Sequence, residues 1–448
     1  MKRIFYILIL LAFSALAFAQ GPAVTNWLQN TTVTGTYYIS GNSIAQPMTA
    51  TDLVNCQKVE YDATDVYVHT EGIPAYATGP FLDGNPSLAT AQGAIFKFPL
   101  NPTEEMGTKT ETTPGNIGVF INGVALFDWR DGVAWNNTTM ALCGGPGNPP
   151  CPGGMGATQD WNRDAIPAEA PGFDCSKAHP AMGNYHHHQN PSAFKLDINV
   201  TSTICNMYDA DGLYSIDATA HSPLLGFAYD GFPIYGAYGY KNIDGTGGIT
   251  RMISGYNVTG ATTRTLGPPT SGTYFDGYFR EDYVFTANTA PEYMDEHNGR
   301  FCVTPEYPAG TYAYFCTVNA DWTSAYPYVV GPTFYGEYSN ASVATVPGGT
   351  TVYNAPSAIT DEAFNSLDLT IFPNPSADII AVQIGGLLSE NLTVSLYDIT
   401  GKMIEEKQIN KGQTMAHFDI QTLYNGTYIV KIANGNNVTS KKIVVNRH

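Results

Sequence analysis

The feature that most restricts how this 448-residue chain can fold is the near absence of 3.6-residue hydrophobic periodicity between 21 and 336. Aromatic and β-branched runs instead alternate with Gly, Pro, Asn and Asp, as in GVFINGVALFDW (118–129), GFAYDGFPIYGAYGY (226–240), GTYAYFCTV (310–318) and YPYVVGPTFYG (326–336). Such runs send successive side chains to opposite faces of a sheet and stop where turn formers appear. The pattern predicts an all-β domain, a large β-sandwich or partly closed barrel with long loops. A stretch of roughly 315 residues suffices for one sizeable core.

The chain opens MKRIFYILILLAFSALAFAQ. Lys2 and Arg3 precede an apolar run ending in Ala17-Phe18-Ala19, the layout of a cleaved signal peptide over 1–19. The run is too short for a spanning helix, and no later segment reaches spanning length. Charge then divides the remainder. Residues 21–370 carry 33 acidic and 12 basic side chains, a balance of −21, whereas 371–448 carry 6 and 7, a balance of +1. Between them, 337–368 is rich in Ser, Thr, Ala, Pro and Gly, the composition of an exposed linker. The expected plan is a β domain at 20–336, a linker at 337–368 and a small domain at 369–448. An acidic surface without clustered Lys and Arg excludes nucleic acid as a partner. With no Walker motif and no G-x-S-x-G elbow, neither a nucleotide cofactor nor a serine-hydrolase site is expected.

Residues 369–448 alternate as short strands (LTIFPNP, IIAVQI, LTVSLYDITGK, AHFDI, GTYIVKIA, KKIVVN) with turns at Pro373-Asn374-Pro375, Thr400-Gly401-Lys402 and Tyr424-Asn425-Gly426. An Ig-like β-sandwich is expected. This stretch resembles the C-terminal sorting domain of the type IX (Por) secretion system. The resemblance implies passage through the periplasm to the outer surface or medium, with the secretion machinery as partner and no chemistry in the tail.

In the large domain, GNYHHHQNP (183–191), HSPLLGFAYDGFPIYGAYGY (221–240), DEHNGRFCVTPEYPAGTYAYF (295–315) and AYPYVVGPTFYG (325–336) resemble the YHYH family of secreted proteins, over about 115–336. The motif falls on Tyr185, His186, His187 and His188, with His187 in place of the second tyrosine. The counterpart of a second motif, Tyr312-Ala313-Tyr314-Phe315, has no histidine. The resemblance implies a fold neighbourhood and no particular reaction.

If 183–188 is extended, His186 and His188 share one face, with Cα atoms about 7 Å apart, and Tyr185 and His187 share the other. Two imidazoles on one face can ligate zinc or copper if further donors converge on them. His221 and His297 are the expected partners, His179 is also available, and Asp230 or Glu296 can supply oxygen. The competing reading has these rings hydrogen-bonded to backbone and packed on tyrosines. Two rival functions stay open: a metal-free surface module that binds glycan or protein through a tyrosine-rich face (29 Tyr, 5 Trp), and a metal-dependent hydrolase or oxidase.

Asp209-Ala210-Asp211-Gly212 has acidic spacing reminiscent of a calcium loop, but Ala218 stands where a closing Glu is required. Asn242-Ile243-Asp244-Gly245 reads as a turn. Seven cysteines in an exported chain tend to pair, leaving at least one over. Sequence proximity offers Cys143 with Cys151, Cys175 with Cys205 across the histidine block, and Cys302 with Cys316 across a hairpin, leaving Cys56. Spacing alone does not decide among connectivities.

Overall fold

The computed structural model describes residues 20–39, 47–82, 87–145, 147–153, 159–197, 205, 212–338, 341–354, 368–385, 391–398, 402–410, 413, 415–434 and 437–447. The proposed signal peptide, most of 355–368 and the acidic pair Asp209/Asp211 lie outside these residues. The chain forms two units, 1–353 and 354–448.

The first unit is built on an eight-stranded open sheet. Its strands run, edge to edge, His179–Ala181, Asn184–His187, Ala125–Phe127, Asn116–Phe120, Leu224–Ala228, Pro233–Tyr235, Thr311–Phe315 and Gly299–Cys302. Neighbours are antiparallel except at two places: Asn184–His187 runs parallel to Ala125–Phe127, and Pro233–Tyr235 runs parallel to Thr311–Phe315. The two ends do not meet, so the described strands form no closed barrel.

A second sheet, in the order Thr351–Tyr353, Cys56–Tyr61, Asp65–Thr70 and Ala94–Pro99, shares the core of the first. Val59, Val66, Val68, Phe96 and Phe98 from this sheet are buried with Ile117, Val119 and Phe227 of the large one. Phe98 stacks on Trp27 at 5.7 Å, lies 6.3 Å from Phe227, and Phe96 lies 6.1 Å from Tyr229. Each aromatic pair adds about 0.5–1.5 kcal/mol beyond its area burial. The central strand Leu224–Ala228 is buried at every position and so does not alternate. Strands covered on both faces read as continuous apolar runs. The span expected to be a linker is tied to this unit as far as Tyr353, because Thr351–Tyr353 pairs with Cys56–Tyr61.

Helix is scarce, as expected. Among the described residues the α-helices are Pro22–Thr25 and Ala165–Glu169, and no helix is long and apolar enough to cross a membrane. Much of the tyrosine content is interior: Tyr38, Tyr185, Tyr235, Tyr312 and Tyr314 are among the largest fully buried side chains.

Cys143–Cys151 and Cys175–Cys205 are disulfides, while Cys56, Cys302 and Cys316 are buried free thiols. The expected Cys302–Cys316 pairing is corrected by register. Gly299 faces Tyr314 and Cys302 faces Thr311, so the two cysteines sit at opposite ends of the ladder. Five residues of offset is about 17 Å, far beyond the reach of a disulfide.

The second unit has its own core. One sheet contains Asp368–Phe372, Ile379–Gly385 and Met415–Asp419; the other contains Met403–Ile409, Leu392–Asp398, Gly426–Asn434 and Asn437–Val445, antiparallel throughout. Ile380, Val382 and Phe418 from the first are buried with Val394, Leu396, Val430, Ile432 and Ile443 from the second. This is the expected Ig-like sandwich.

Candidate metal centre

The edge hairpin His179–Ala181/Asn184–His187 turns through Met182 (φ 50°) and Gly183 (φ 86°). Positive φ at both central positions is the two-residue turn that matches strand twist. Gly183 is required there also by space, since a Cβ would lie 2.1 Å from Thr90 Oγ1. This turn sets the register in which His179 faces His186, Pro180 faces Tyr185 and Ala181 faces Asn184. Directly opposed residues share a face, as do residues two apart. The hairpin thus gathers His179, His186 and His188 on one side and places Tyr185 and His187 on the other.

The ligating nitrogens of these three histidines lie within 4.8 Å of one another, and all three rings are buried. His186 Nε2 is 3.1 Å from His188 Nε2. The opposite ring nitrogens are fixed by main-chain carbonyls, His186 Nδ1 by Asn184 O at 2.8 Å and His188 Nδ1 by Asp128 O at 2.5 Å. Aromatic walls hold the rings: Phe127 stacks on His186 at 3.7 Å, and Phe173 packs edge-on against His179 at 4.8 Å. Burial, together with the neighbouring imidazoles, holds His186 well below the ordinary histidine range. Burial lowers His188 too, partly opposed by the Glu169 charge.

Glu169 closes the group from the short helix Ala165–Glu169. Asp164 caps that helix by accepting from Ile166 N at 2.9 Å, and Tyr328 donates to the other Asp164 oxygen at 2.6 Å. Glu169 Oε2 is 3.3 Å from His179 Nε2 and 3.4 Å from His188 Nε2. Burial raises the Glu169 carboxyl, but hydrogen bonding to His179 and the charges of His188 and His179 outweigh it, and the net shift is downward. Three imidazoles and a carboxylate, with two rings oriented by carbonyls behind them, form a donor set of the kind zinc and copper take.

The opposite face is core. His187 Nε2 meets Tyr76 OH at 2.9 Å, its Nδ1 meets Lys177 O at 3.2 Å, and burial pushes its pKa down to about 3. Tyr185 donates to Asp174 Oδ2 at 2.8 Å. Asp174 also accepts from Gly79 N, Ser176 N and Ala178 N, which fixes the loop leading into His179.

Two expected partners stand elsewhere. His221 packs against Tyr235, Tyr240 and Phe315, with Nδ1 at 2.7 Å from Ser222 O. His297 Nδ1 meets Thr333 Oγ1 at 2.6 Å, and its Nε2 is 4.0 Å from the exposed Glu296. Among the described residues neither joins the cluster of His179, His186 and His188. Asp230 accepts from Tyr314 OH at 2.6 Å and Gly336 N at 2.8 Å, a structural tie. The downstream Tyr312 similarly donates to both Asp295 oxygens at 3.0 Å. His179 was visible in sequence as an available donor, and the Met182-Gly183 turn between the two strands is what sets it opposite His186. Glu169 carries no sequence signal, because its reach depends on a five-residue helix from a separate segment. Asp244 accepts from Thr246 N and Oγ1, the expected turn.

A search among curated proteins gave no match. Family models match in two places: one described as the secretion system C-terminal sorting domain covers 370–446, and one described as YHYH protein covers 95–328, which includes His179, His186, His188 and Glu169. The tail marks a secreted or outer-surface protein exported through the periplasm by the type IX machinery, and the chain belongs to the YHYH protein family.

Proposed function

We propose that the exported protein binds a transition metal, zinc or copper, through His179, His186 and His188. The observation that carries this reading is the 3.1 Å separation of His186 Nε2 and His188 Nε2. Each Nδ1 lies against a carbonyl oxygen, which can only accept, so each Nδ1 holds the ring proton. In the neutral rings two Nε2 lone pairs then confront each other, and a cation between them relieves the repulsion. A shared proton would place an imidazolium in a buried site that already favours neutral rings. A metal ion uses the neutral rings as they stand.

Metal content separates this reading from a metal-free binding module. Protein recovered after export and dialysed against buffer should carry about one zinc or copper per chain by elemental mass spectrometry, a stoichiometry set by one donor cluster. The His186→Ala/His188→Ala double variant should lose it. Wild-type protein that neither retains nor takes up stoichiometric metal overturns the proposal.

A further inference from the structure

We infer that Glu169 is the fourth ligand of this centre, so that the site is coordinatively closed and takes zinc in a structural role. The inference rests on the metal reading above and adds the coordination number and the kind of ion. Four donors about 2.0 Å from a zinc ion at tetrahedral angles stand roughly 3.3 Å apart. The separations here are 3.1 Å (His186 Nε2 to His188 Nε2), 3.3 Å (His179 Nε2 to Glu169 Oε2) and 3.4 Å (His188 Nε2 to Glu169 Oε2). Three of the six edges are therefore near tetrahedral length, and the three ring nitrogens as a group lie within 4.8 Å of one another.

A carboxylate acting as general base on a metal-bound water would sit one water further out. Its oxygen would be about 2.7 Å beyond that water and more than about 4 Å from the ring nitrogens. Glu169 Oε2 is closer than that to two of them. Copper(II) prefers tetragonal donors, whereas a tetrahedral set of three imidazoles and one carboxylate suits zinc.

The helix that presents Glu169 is tied to the strand segment that orients His188. Ala165 N donates to Trp129 O at 2.8 Å, and the adjacent Asp128 O accepts from His188 Nδ1. One stretch of main chain thus sets both a nitrogen and an oxygen donor, which is the preorganisation a closed site needs. The Glu169 side chain is 23% exposed, the most accessible of the four donors, so it is also the side from which an ion enters.

The test uses full-length protein loaded with zinc or cobalt(II). Zinc affinity is measured by competition with a chelator, and the cobalt spectrum is followed during azide titration. Wild type should show intense tetrahedral cobalt bands that azide leaves unchanged. Glu169→Ala should bind zinc at least about 10-fold more weakly, since loss of even an outer-shell partner costs that much, and its cobalt form should take up azide. Glu169→Gln, which keeps the shape, should share the affinity loss, and the wild-type azide response requires no variant. Azide binding by wild type, or unchanged zinc affinity in both variants, overturns the closed site while leaving the three-histidine centre intact. Absence of metal binding in wild type overturns both.

Discussion

His179 stands directly across an antiparallel ladder from His186, and a two-residue turn through Met182 and Gly183 is all that separates their strands. Cross-strand opposition and the i, i+2 relation of His186 to His188 together make three neighbouring imidazoles from ten residues of chain. The arrangement predicts an uneven histidine scan. His179→Ala, His186→Ala and His188→Ala should each weaken zinc binding beyond the roughly 10–100-fold that outer-shell losses cost, while His187→Ala changes it little. Competition titrations on the full-length variants decide the matter, and equal losses for all four would mean loose chelation of the kind a flexible histidine tag gives.

His187 should instead matter for stability. It is fully buried, bonded to Tyr76 and Lys177 O, and edge-on to Phe120 at 5.6 Å. Truncation leaves a cavity and strips Tyr76 of one hydrogen-bond partner, so His187→Ala should cost about 2–5 kcal/mol. Denaturant midpoints of the metal-free proteins are the measurement. The loss should exceed that of His186→Ala, which in the metal-free state also removes a lone-pair repulsion.

How much of this was legible beforehand depended on range. The two faces of GNYHHHQNP follow from strand alternation, so His186 and His188 were readable as a pair and His187 as pointing away. The β architecture and the C-terminal sandwich were readable from alternation and turns. His221 and His297 were plausible donors by residue type alone, but type says nothing of distance, and each turns out to be held by its own local partners, Ser222 O and Thr333. Glu169 and the true status of Cys302 and Cys316 depend on long-range register, which local pattern does not encode.

The Cys175–Cys205 bridge joins the two ends of the segment that carries the histidines, with a separation of 30 residues. A loop of that size is worth about 3–4 kcal/mol in the chain-entropy model. Cys175 packs with Phe173, whose ring walls His179 and His188. Cys175→Ser/Cys205→Ser should therefore lower both the melting temperature and zinc affinity, with the affinity loss smaller than for His188→Ala. A variant as stable as wild type would contradict the bridge's role.

Thiol counting checks the corrected pairing. Cys56, Cys302 and Cys316 are buried, and burial pushes all three thiols upward in pKa. Reactive cysteines require the thiolate and access, and these have neither. Native protein should resist alkylation, and denatured, non-reduced protein should label at those three positions only. A peptide linking Cys302 to Cys316 would show that the hairpin register is wrong.

The last prediction concerns the tail. Residues 354–448 form a separate unit whose core of Ile380, Val394, Leu396, Phe418, Val430 and Ile443 draws on its own two sheets, and 370–446 match the sorting domain. A domain with its own core leaves its neighbour folded when removed, whereas a sorting signal is needed wherever the protein must cross the outer membrane. The cut belongs after Tyr353, because Thr351–Tyr353 completes a sheet of the large unit, and cutting at 336 would strip that strand. Protein ending near residue 354 should accumulate in the periplasm, keep the melting transition of the large unit, and bind zinc as the full-length protein does. Truncation at 336 should destabilise it measurably by comparison. Normal surface delivery of the 354 form would show that export does not depend on the tail.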